Sequence, residues 1–599
     1  MNPIGRLKSE WAYARGIGSV LRRISPLARN ATLTIRDEVE EWAAEWRDAP
    51  ALISDRERLS YRELFEHANR WARWAIIHGV EKGDRVALLM PNRPEYMAAW
   101  IGISMVGGVT ALINTHLGGE ILAHSLAVAS PRHVVVDASL LPLFETATPF
   151  LRHPSAVWVY GDHPMAYMRV DEALAELSPV RLSGRDRRAL AQTDDCLWIY
   201  TSGTTGMPKA ARLNHYRVLA IMNGFSAATR ATSQDRIYVA QPMYHSAGGV
   251  LAPGIVLTVG GSCVVREKFS ATEFWSDVVR HDCTMIQYIG ELCRWLLATP
   301  PTEAERRHRV RIADGNGLRP DIWEAFRRRF RIPQILEWFA ATEGNVVLLN
   351  FDGRPGAVGR IPWYLAARMP TRIVRFDLER GEPLRDPSGR CILAAADEVG
   401  EAIGEIVVDA DKPAQRFDGY ADTRATEKKI LRDVFRPGDA WFRTGDLMRR
   451  DRDGYFYFVD RIGDTFRWKG ENVATSEVSE AISPYPGIEV ANVYGVTVPG
   501  HDGRAGMVAL TVNEDFDLVD FAAHVVDTLP PHARPLFLRL RDDVAMTGTF
   551  KLKKSDLVTE GCDPSHTRDP LFLLDVPGRR WMLLDDALWQ RLTRGEIRL

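Results

Sequence analysis

Hydrophobic and polar positions follow two alternating rhythms along most of the chain. From Trp42 to Val264, stretches with apolar residues every three to four positions alternate with short apolar runs. Tyr61–Ile77 reads as an amphipathic helix, and Arg85–Met90, His133–Val136 and Leu197–Thr201 read as buried strands. Helices alternating with apolar strands predict an α/β fold with parallel sheets. The signals change between Gly404 and Val459, where strands are expected at Glu405–Val408 and Tyr455–Val459, with Asp453-Gly454 as a hairpin turn. After Asp460 a smaller α+β segment follows, with strands expected at Val490–Val498 and Met507–Val512. The expected organisation is a segment 1–30, a large α/β N-terminal domain with a β-rich part over 31–460, and a small α+β C-terminal domain over 461–599.

Two stretches invite a membrane reading. Tyr96–Gly119 carries no formal charge and has the length of a bilayer span. Gly107 and Gly108 interrupt it, so it reads instead as a buried helix from Pro94 to about Val106 followed by a buried strand Val109–Ile113. In residues 1–30, Arg6, Lys8, Arg15, Arg22, Arg23 and Arg29 oppose the single acid Glu10. Ile4, Leu7, Trp11, Ala14, Leu21 and Ile24 recur near one helical face. Such a basic amphipathic helix suits an anionic membrane surface; the alternatives are a frayed tail or a helix docked on the body. Gly16 and Gly18 weaken the helix.

Composition adds exclusions. The 599 residues carry a formal charge of -2, leaving no basic excess to suggest a nucleic-acid partner. Six scattered cysteines form no Cys-x-x-Cys pair, which argues against a zinc or redox site and for packing in a reducing compartment. No secretory signal is evident. A cytoplasmic protein is expected, in peripheral contact with the inner membrane face if the first segment binds lipid.

The densest chemistry lies at Tyr200-Thr201-Ser202-Gly203-Thr204-Thr205-Gly206-Met207-Pro208-Lys209, directly after an apolar strand. Glycines let backbone N–H groups approach an anion. The hydroxyls add donors and Lys209 adds positive charge, so the loop is a phosphate cradle. Its spacing is not that of the P-loop.

From this loop onward the chain resembles the adenylate-forming enzymes, which include acyl-CoA synthetases, luciferases and peptide-synthetase adenylation domains. Gly315-Asn316-Gly317-Leu318 is similar to that family's adenine-contacting segment. Phe339-Ala340-Ala341-Thr342-Glu343-Gly344-Asn345 resembles its aromatic-Gly-x-Thr-Glu motif, with Ala340 where glycine is usual. Thr444-Gly445-Asp446 resembles the ribose-binding motif, and Asp460-Arg461 the junction before the C-terminal domain. The stretch Ile462-Gly463-Asp464-Thr465-Phe466-Arg467-Trp468-Lys469-Gly470-Glu471-Asn472-Val473-Ala474-Thr475 resembles the hallmark of the fatty-acid transport protein/very-long-chain acyl-CoA synthetase group. The resemblance covers residues from about 40 to about 560.

The resemblance implies ATP, Mg²⁺ and coenzyme A. Thr201, Ser202, Gly203, Thr204, Thr205, Gly206 and Lys209 would hold phosphates. Gly315, Asn316, Gly317, Phe339 and Ala340 would hold adenine, with Asp446 and Arg461 on the ribose side. Glu343, with Thr201, would hold the metal, and Thr342 would bond the α-phosphate. Lys551, in Thr547-Gly548-Thr549-Phe550-Lys551, resembles the mobile catalytic lysine, although Phe550 replaces a usual glycine and Lys553 and Lys554 lie close by. His245 and Tyr288 are expected at the acyl pocket, and Gly503–Gly506 at the coenzyme A channel. The C-terminal domain would swing about Arg461–Asp464 between half-reactions. The expected activity is an ATP-dependent long- or very-long-chain fatty acid–CoA ligase. The alternatives are a ligase for steroid- or bile-acid-like side chains, an acyl-AMP ligase loading a carrier protein, and a membrane lipid-uptake protein. A homodimer is left open.

Overall fold

The computed structural model describes residues 3–152, 155–164, 167–202, 207–366, 369, 371–409, 412–501, 503–543, 552–597 and 599. The chain forms two compact units: Met1–Leu318 with Ala325–Arg354 and Gly404–Phe442, and Arg319–Glu324 with Pro355–Ile403 and Arg443–Leu599.

The first unit contains two sheets. One runs, in spatial order, Val347–Asn350, Gln334–Ala340, Ile312–Asn316, Met285–Ile289, Arg236–Val239, Ser262–Val265, Pro50–Ile53 and Arg58–Ser60. Its interior pairs are parallel and its two edge pairs antiparallel. The other runs Met168–Arg169, Ala156–Tyr160, His133–Asp137, Arg85–Leu89, Val109–Leu112, Asp195–Ser202 and Pro208–Asn214, parallel except for the last hairpin. The β-branched runs expected as strands are thus strands buried on both faces, as parallel sheets require.

The uncharged stretch behaves as its glycines indicate. All residues of the helix Pro94–Met105 are buried, and so are those of the strand Val109–Leu112. Among the described residues no helix is long and apolar enough to cross a membrane. The helix crosses Tyr61–Ile77 closely: a Cβ on Gly102 would lie 2.3 Å from the Ala68 carbonyl oxygen. Its buried acid Glu95 accepts from the Trp71 indole at 2.6 Å and meets His67 Nδ1 at 2.7 Å, so this carboxylate is not stranded.

The N-terminal segment is a helix, Pro3–Arg29, docked on the first unit. Gly16 is the reason it can dock: a Cβ there would fall 2.4 Å from the Phe351 ring. The buried seam is Ser9, Tyr13, Gly16, Val20 and Leu27. Ser9 Oγ donates to Asp352 at 2.5 Å, and Arg23 reaches Asn223 Oδ1 at 2.8 Å and the Thr258 carbonyl at 2.6 Å. The face expected to be the apolar one points the other way. Leu7, Trp11 and Leu21 are 72%, 62% and 51% exposed. At about 100° per residue the two faces are opposed, so the helix has an apolar ridge on each side.

A further sheet contains Ala357–Arg360, Tyr455–Arg461, Ala440–Arg450, Gly400–Ile406, Thr371–Asp377 and Glu382–Pro383 in that order. Gly454, at φ +87°, makes the expected turn before Tyr455. The strand expected at Glu405–Val408 is instead Gly400–Ile406. Glycine hid its start: Gly400 lies so close to Thr371–Asp377 that a Cβ would sit 2.1 Å from the Val374 carbonyl oxygen. The α+β part has a sheet ordered Ile488–Val496, Ala505–Val512, Phe537–Leu540, Leu571–Asp575 and Arg580–Leu583, around a core that includes Val493, Met507, Phe521 and Phe537. All six cysteines are buried and none forms a disulfide.

Candidate active site

In the first unit, the strands Asp195–Ser202 and Pro208–Asn214 form the two arms of a hairpin in which Thr201 pairs with Lys209 and Ser202 with Pro208. The tip residues Gly203, Thr204, Thr205 and Gly206 lie outside the described residues, and so does Lys551. The arms fix where the tip begins and ends, with Thr201 and Lys209 both half-buried.

The strand Gln334–Ala340 ends in Phe339-Ala340 and turns into Thr342-Glu343. Gly344 is required in this turn, since a Cβ would lie 2.3 Å from the Phe442 ring. Asn345 secures the turn by donating to the carbonyls of Glu405 at 2.7 Å and Gln415 at 3.1 Å. Arg217, on the helix His215–Thr229, donates to the Thr342 carbonyl at 3.0 Å. The Thr342 hydroxyl lies 3.1 Å from Ser246 Oγ. That contact brings the His245 segment to the motif. His245 packs its ring 4.6 Å from Tyr244 and opens a π-helical turn, Ala247–Leu251. Gly249 makes this geometry possible, because a Cβ would come within 1.9 Å of the Met243 carbonyl oxygen.

Glu343 is only 9% exposed, and one carboxylate oxygen accepts from the Tyr420 hydroxyl at 2.5 Å. Its second oxygen has no hydrogen bond from the described residues. Burial together with Glu343 pushes the Tyr420 phenol's pKa up. Oxygen donors of this kind suit a hard divalent cation. Among the described residues no group of three His, Cys, Asp or Glu could hold a metal alone. The set therefore fits a cation that arrives with phosphate ligands of its own. Sequence reasoning missed Tyr420; the signal for it was Gly419-Tyr420, placed after the β-rich strands.

The segment Gly315–Leu318 ends the strand Ile312–Asn316. Gly317 has φ +79°, and the Gly290 α-carbon packs so near that a Cβ would lie 1.7 Å from the Gly317 carbonyl oxygen. Beneath it, Glu337 accepts from the Gly317 N–H at 2.5 Å, the Leu318 N–H at 3.4 Å and the Tyr288 hydroxyl at 2.5 Å. Tyr288 is thus buried with its hydroxyl committed to Glu337. Burial pushes both Glu337 and the neighbouring Asp314 up to about 8. Neither acid figured in the sequence reading, because an isolated acid in an apolar strand carries no local motif.

In the second unit, Asp446 and Arg461 are cross-strand partners, with Arg461 Nε 3.9 Å from Asp446 Oδ1. Gly445 takes φ +81°, and the Thr444 hydroxyl anchors the turn on the Ala402 carbonyl at 2.7 Å. The hallmark stretch forms a turn at Arg461–Asp464, a ribbon of Phe466–Trp468 with Glu471–Val473, and the start of the helix Thr475–Ile482. Gly503 bridges Trp468, and Arg504 N–H donates to the Arg467 carbonyl at 2.7 Å. Lys553 is paired with Asp556 at 2.6 Å, and Lys554 with Thr475 at 2.7 Å and Asp464 at 3.2 Å. Both neighbours of Lys551 are therefore committed to other groups.

Residues 39–414 match the AMP-binding enzyme family. The chain is 43% identical over 527 residues to long-chain fatty acid transport protein 3 of Homo sapiens, covering 86% of this chain and 76% of that protein. It is 40% identical over 556 residues to long-chain fatty acid transport protein 6 of Mus musculus, covering 92% and 88%. The fold is that of an anthranilate CoA ligase in complex with anthranoyl-AMP, with TM-score 0.74, 19% identity and coverage of 88% and 97%. It is also that of ATP-bound MatB from Rhodopseudomonas palustris, with TM-score 0.71, 22% identity and coverage of 88% and 99%. With this family match and these relatives, the chain belongs to the AMP-binding enzyme family as an AMP-forming acid–CoA ligase.

Proposed function

We propose that the acid activated is a long- or very-long-chain fatty acid. The observation that carries the activation chemistry is the junction at which Tyr420, paired through its backbone with the Ala210–Arg212 arm of the hairpin, meets Glu343, whose second oxygen accepts no hydrogen bond from the described residues. The substrate class rests on the relatives, which are named as long-chain fatty acid transport proteins.

The fatty carboxylate attacks the α-phosphorus of ATP, and the bond from that phosphorus to the pyrophosphate oxygen breaks. Lys209 and the loop N–H groups stabilise the departing pyrophosphate. Thr342 bonds the α-phosphate. Gly315, Asn316, Gly317, Phe339 and Ala340 bound the adenine, and Asp446, oriented by Arg461, takes the ribose hydroxyls. Mg²⁺, held by Glu343 and Thr201, supplies charge neutralisation when bound. Lys551 offsets the repulsion between carboxylate and phosphate with a flexible point charge. After a swing about Arg461–Asp464 the coenzyme A thiol attacks the mixed anhydride, and AMP leaves with its bond to the acyl carbon broken. In this reading His245 would border the acyl group, while Tyr288, buried with its hydroxyl on Glu337, would support the site from beneath.

Pyrophosphate release across a panel of fatty and steroid acids, with coenzyme A omitted and added, tests this reading. Fatty acids of long chain should give the highest rates, and Lys551→Ala should abolish adenylate formation while sparing thioester formation from supplied acyl-AMP. A preference for steroid acids, or equal loss of both half-reactions, would overturn the corresponding part.

The exposed ridge of Leu7, Trp11 and Leu21, flanked by Lys8, Arg15, Arg22 and Arg29, supports peripheral contact with an anionic membrane on the cytoplasmic side. Co-sedimentation with phosphatidylglycerol vesicles should be lost in a Leu7→Gln, Trp11→Gln, Leu21→Gln variant and weakened by salt. Equal binding to neutral vesicles would refute the electrostatic part.

A further inference from the structure

An open cleft of about 770 Å³ in the first unit is lined by the N-terminal helix Pro3–Arg29, the helix Ile35–Trp46 and the helix His215–Thr229. Its size is that of a ligand site, about 300–1,000 Å³. No residue of the nucleotide motifs lines it. Its charges separate by helix. Arg22 and Arg23 on the first helix, and Arg230 just past the end of His215–Thr229, supply the positive ones. Glu38, Glu41 and Glu45, all on Ile35–Trp46, supply the negative ones. At about 100° per residue, this spacing puts the three acids within about 60° of one another on that helix.

The opposed charges do not neutralise one another: among the described residues no salt bridge joins these arginines to these glutamates. Arg23 is committed to Asn223 Oδ1 at 2.8 Å and the Thr258 carbonyl at 2.6 Å, and Glu38 accepts from the Trp42 indole at 3.3 Å. Arg22, Arg230 and Glu41 are exposed, and their side chains make no hydrogen bond or ion pair with the described residues. Like charges at this helical spacing repel. Burial, and after it Glu41, pushes the Glu38 carboxyl up. A simple anion would relieve the arginines and aggravate the glutamates, and a simple cation would do the reverse. A ligand carrying both signs relieves both. Its positive end is a primary ammonium, whose three N–H donors suit carboxylates. A quaternary head needs open aromatic faces, whereas Trp42 is 2% exposed and Trp46 packs edge-on to Tyr61, ring centroids 5.1 Å apart. Its negative end is a phosphate, which arginine forks bind. The helix points to the source: Arg22 lies only about 20° around it from Trp11. The cleft therefore lies along the flank that carries the exposed ridge of Leu7, Trp11 and Leu21.

We propose that this cleft binds the phosphoethanolamine headgroup of a membrane lipid, with Arg22 and Arg230 donating to the phosphate and Glu38 and Glu41 accepting from the ammonium. The site lies outside the acid–CoA ligase chemistry, and it rests on the peripheral-membrane reading only for where the headgroup comes from. It gives the protein a preference among lipids of equal net charge, which an apolar ridge flanked by arginines cannot supply.

The test uses the full-length protein and two sets of vesicles with the same fraction of phosphatidylglycerol, one completed with phosphatidylethanolamine and the other with phosphatidylcholine. Co-sedimentation should show about fivefold tighter binding to the first set, the order of one well-made exposed ion pair. Glu41→Gln should bring that ratio close to one. Because it removes a negative charge, its binding to the phosphatidylcholine set should not weaken, so a general loss of membrane affinity cannot mimic the result. Arg230→Gln should lower the ratio as well. Equal wild-type binding to both sets would overturn the proposal. So would a preference that survives in the Glu41→Gln, Arg230→Gln double variant, since lipid packing rather than the cleft would then set it. Water-soluble glycerophosphoethanolamine, followed by saturation-transfer NMR, separates the cleft from the membrane reading. The Leu7→Gln, Trp11→Gln, Leu21→Gln variant should still bind it, and more tightly than glycerophosphocholine. If the wild-type protein binds this soluble headgroup but no vesicles, the membrane reading fails and the cleft stands. If it binds vesicles but not the soluble headgroup, the cleft fails and the membrane reading stands.

Discussion

Glu337 and Glu343 come from the same strand end, yet they stand in opposite environments. Glu337 is 2% exposed and takes three donors, from Gly317, Leu318 and Tyr288. Glu343 is also nearly buried but takes one, from Tyr420. The first carboxyl is used up holding a glycine turn in shape; the second keeps an oxygen without a donor among the described residues. Burial does not separate the acid proposed to be functional from the structural one here. The count of donors already committed does.

The largest way to break this comparison is Glu343→Gln, which keeps size and the Tyr420 bond while removing charge. We expect pyrophosphate release to fall by about 100-fold, in line with the loss of one electrostatic stabiliser, with little change in Tm. A matching fall in Tm would place Glu343 in the structural class. Glu337→Ala should do the reverse. It strands two backbone N–H groups and a phenol, each costing about 1–3 kcal/mol, so the first thermal transition should drop by several degrees. Glu337→Gln should recover much of that, because the amide oxygen still accepts. The smallest effect concerns Asp314. Burial pushes its carboxyl up to about 8, above the unfolded value near 4, so the folded state holds the proton more tightly between those values. Stability from this group is present at low pH and is lost as pH rises through about 8. Asp314→Asn should flatten the decline of Tm over that window, leaving the share that Glu337 contributes.

Much of this was legible in the chain. The hairpin loop, the Thr342-Glu343 turn and the Thr444-Gly445-Asp446 turn are contiguous, so composition and order exposed them. The alternation of helices and apolar strands predicted the sheets at Arg85–Leu89 and His133–Asp137 within a residue or two. Tyr420, Glu337 and Arg217 were not legible, since each acts on residues far away in sequence and only folding brings them together. Gly400–Ile406 was misplaced because glycines needed for close strand approach dilute the apolar signal. The N-terminal helix was read on its more hydrophobic face, whereas small residues such as Ser9 and Gly16 set the face that docks.

That helix has a practical bearing on how the protein should be handled. Val218, Leu219, Met222 and Phe225 of the helix His215–Thr229 are buried, and Arg23 and Leu27 tie the first segment to residues on and beside it. Deleting the first thirty residues to remove lipid binding would uncover this element, whose first turn carries the Arg217 brace on Thr342. A truncated preparation would then lose activity through damage to its support, mimicking a membrane requirement. Surface substitutions confined to the outer ridge avoid that confusion.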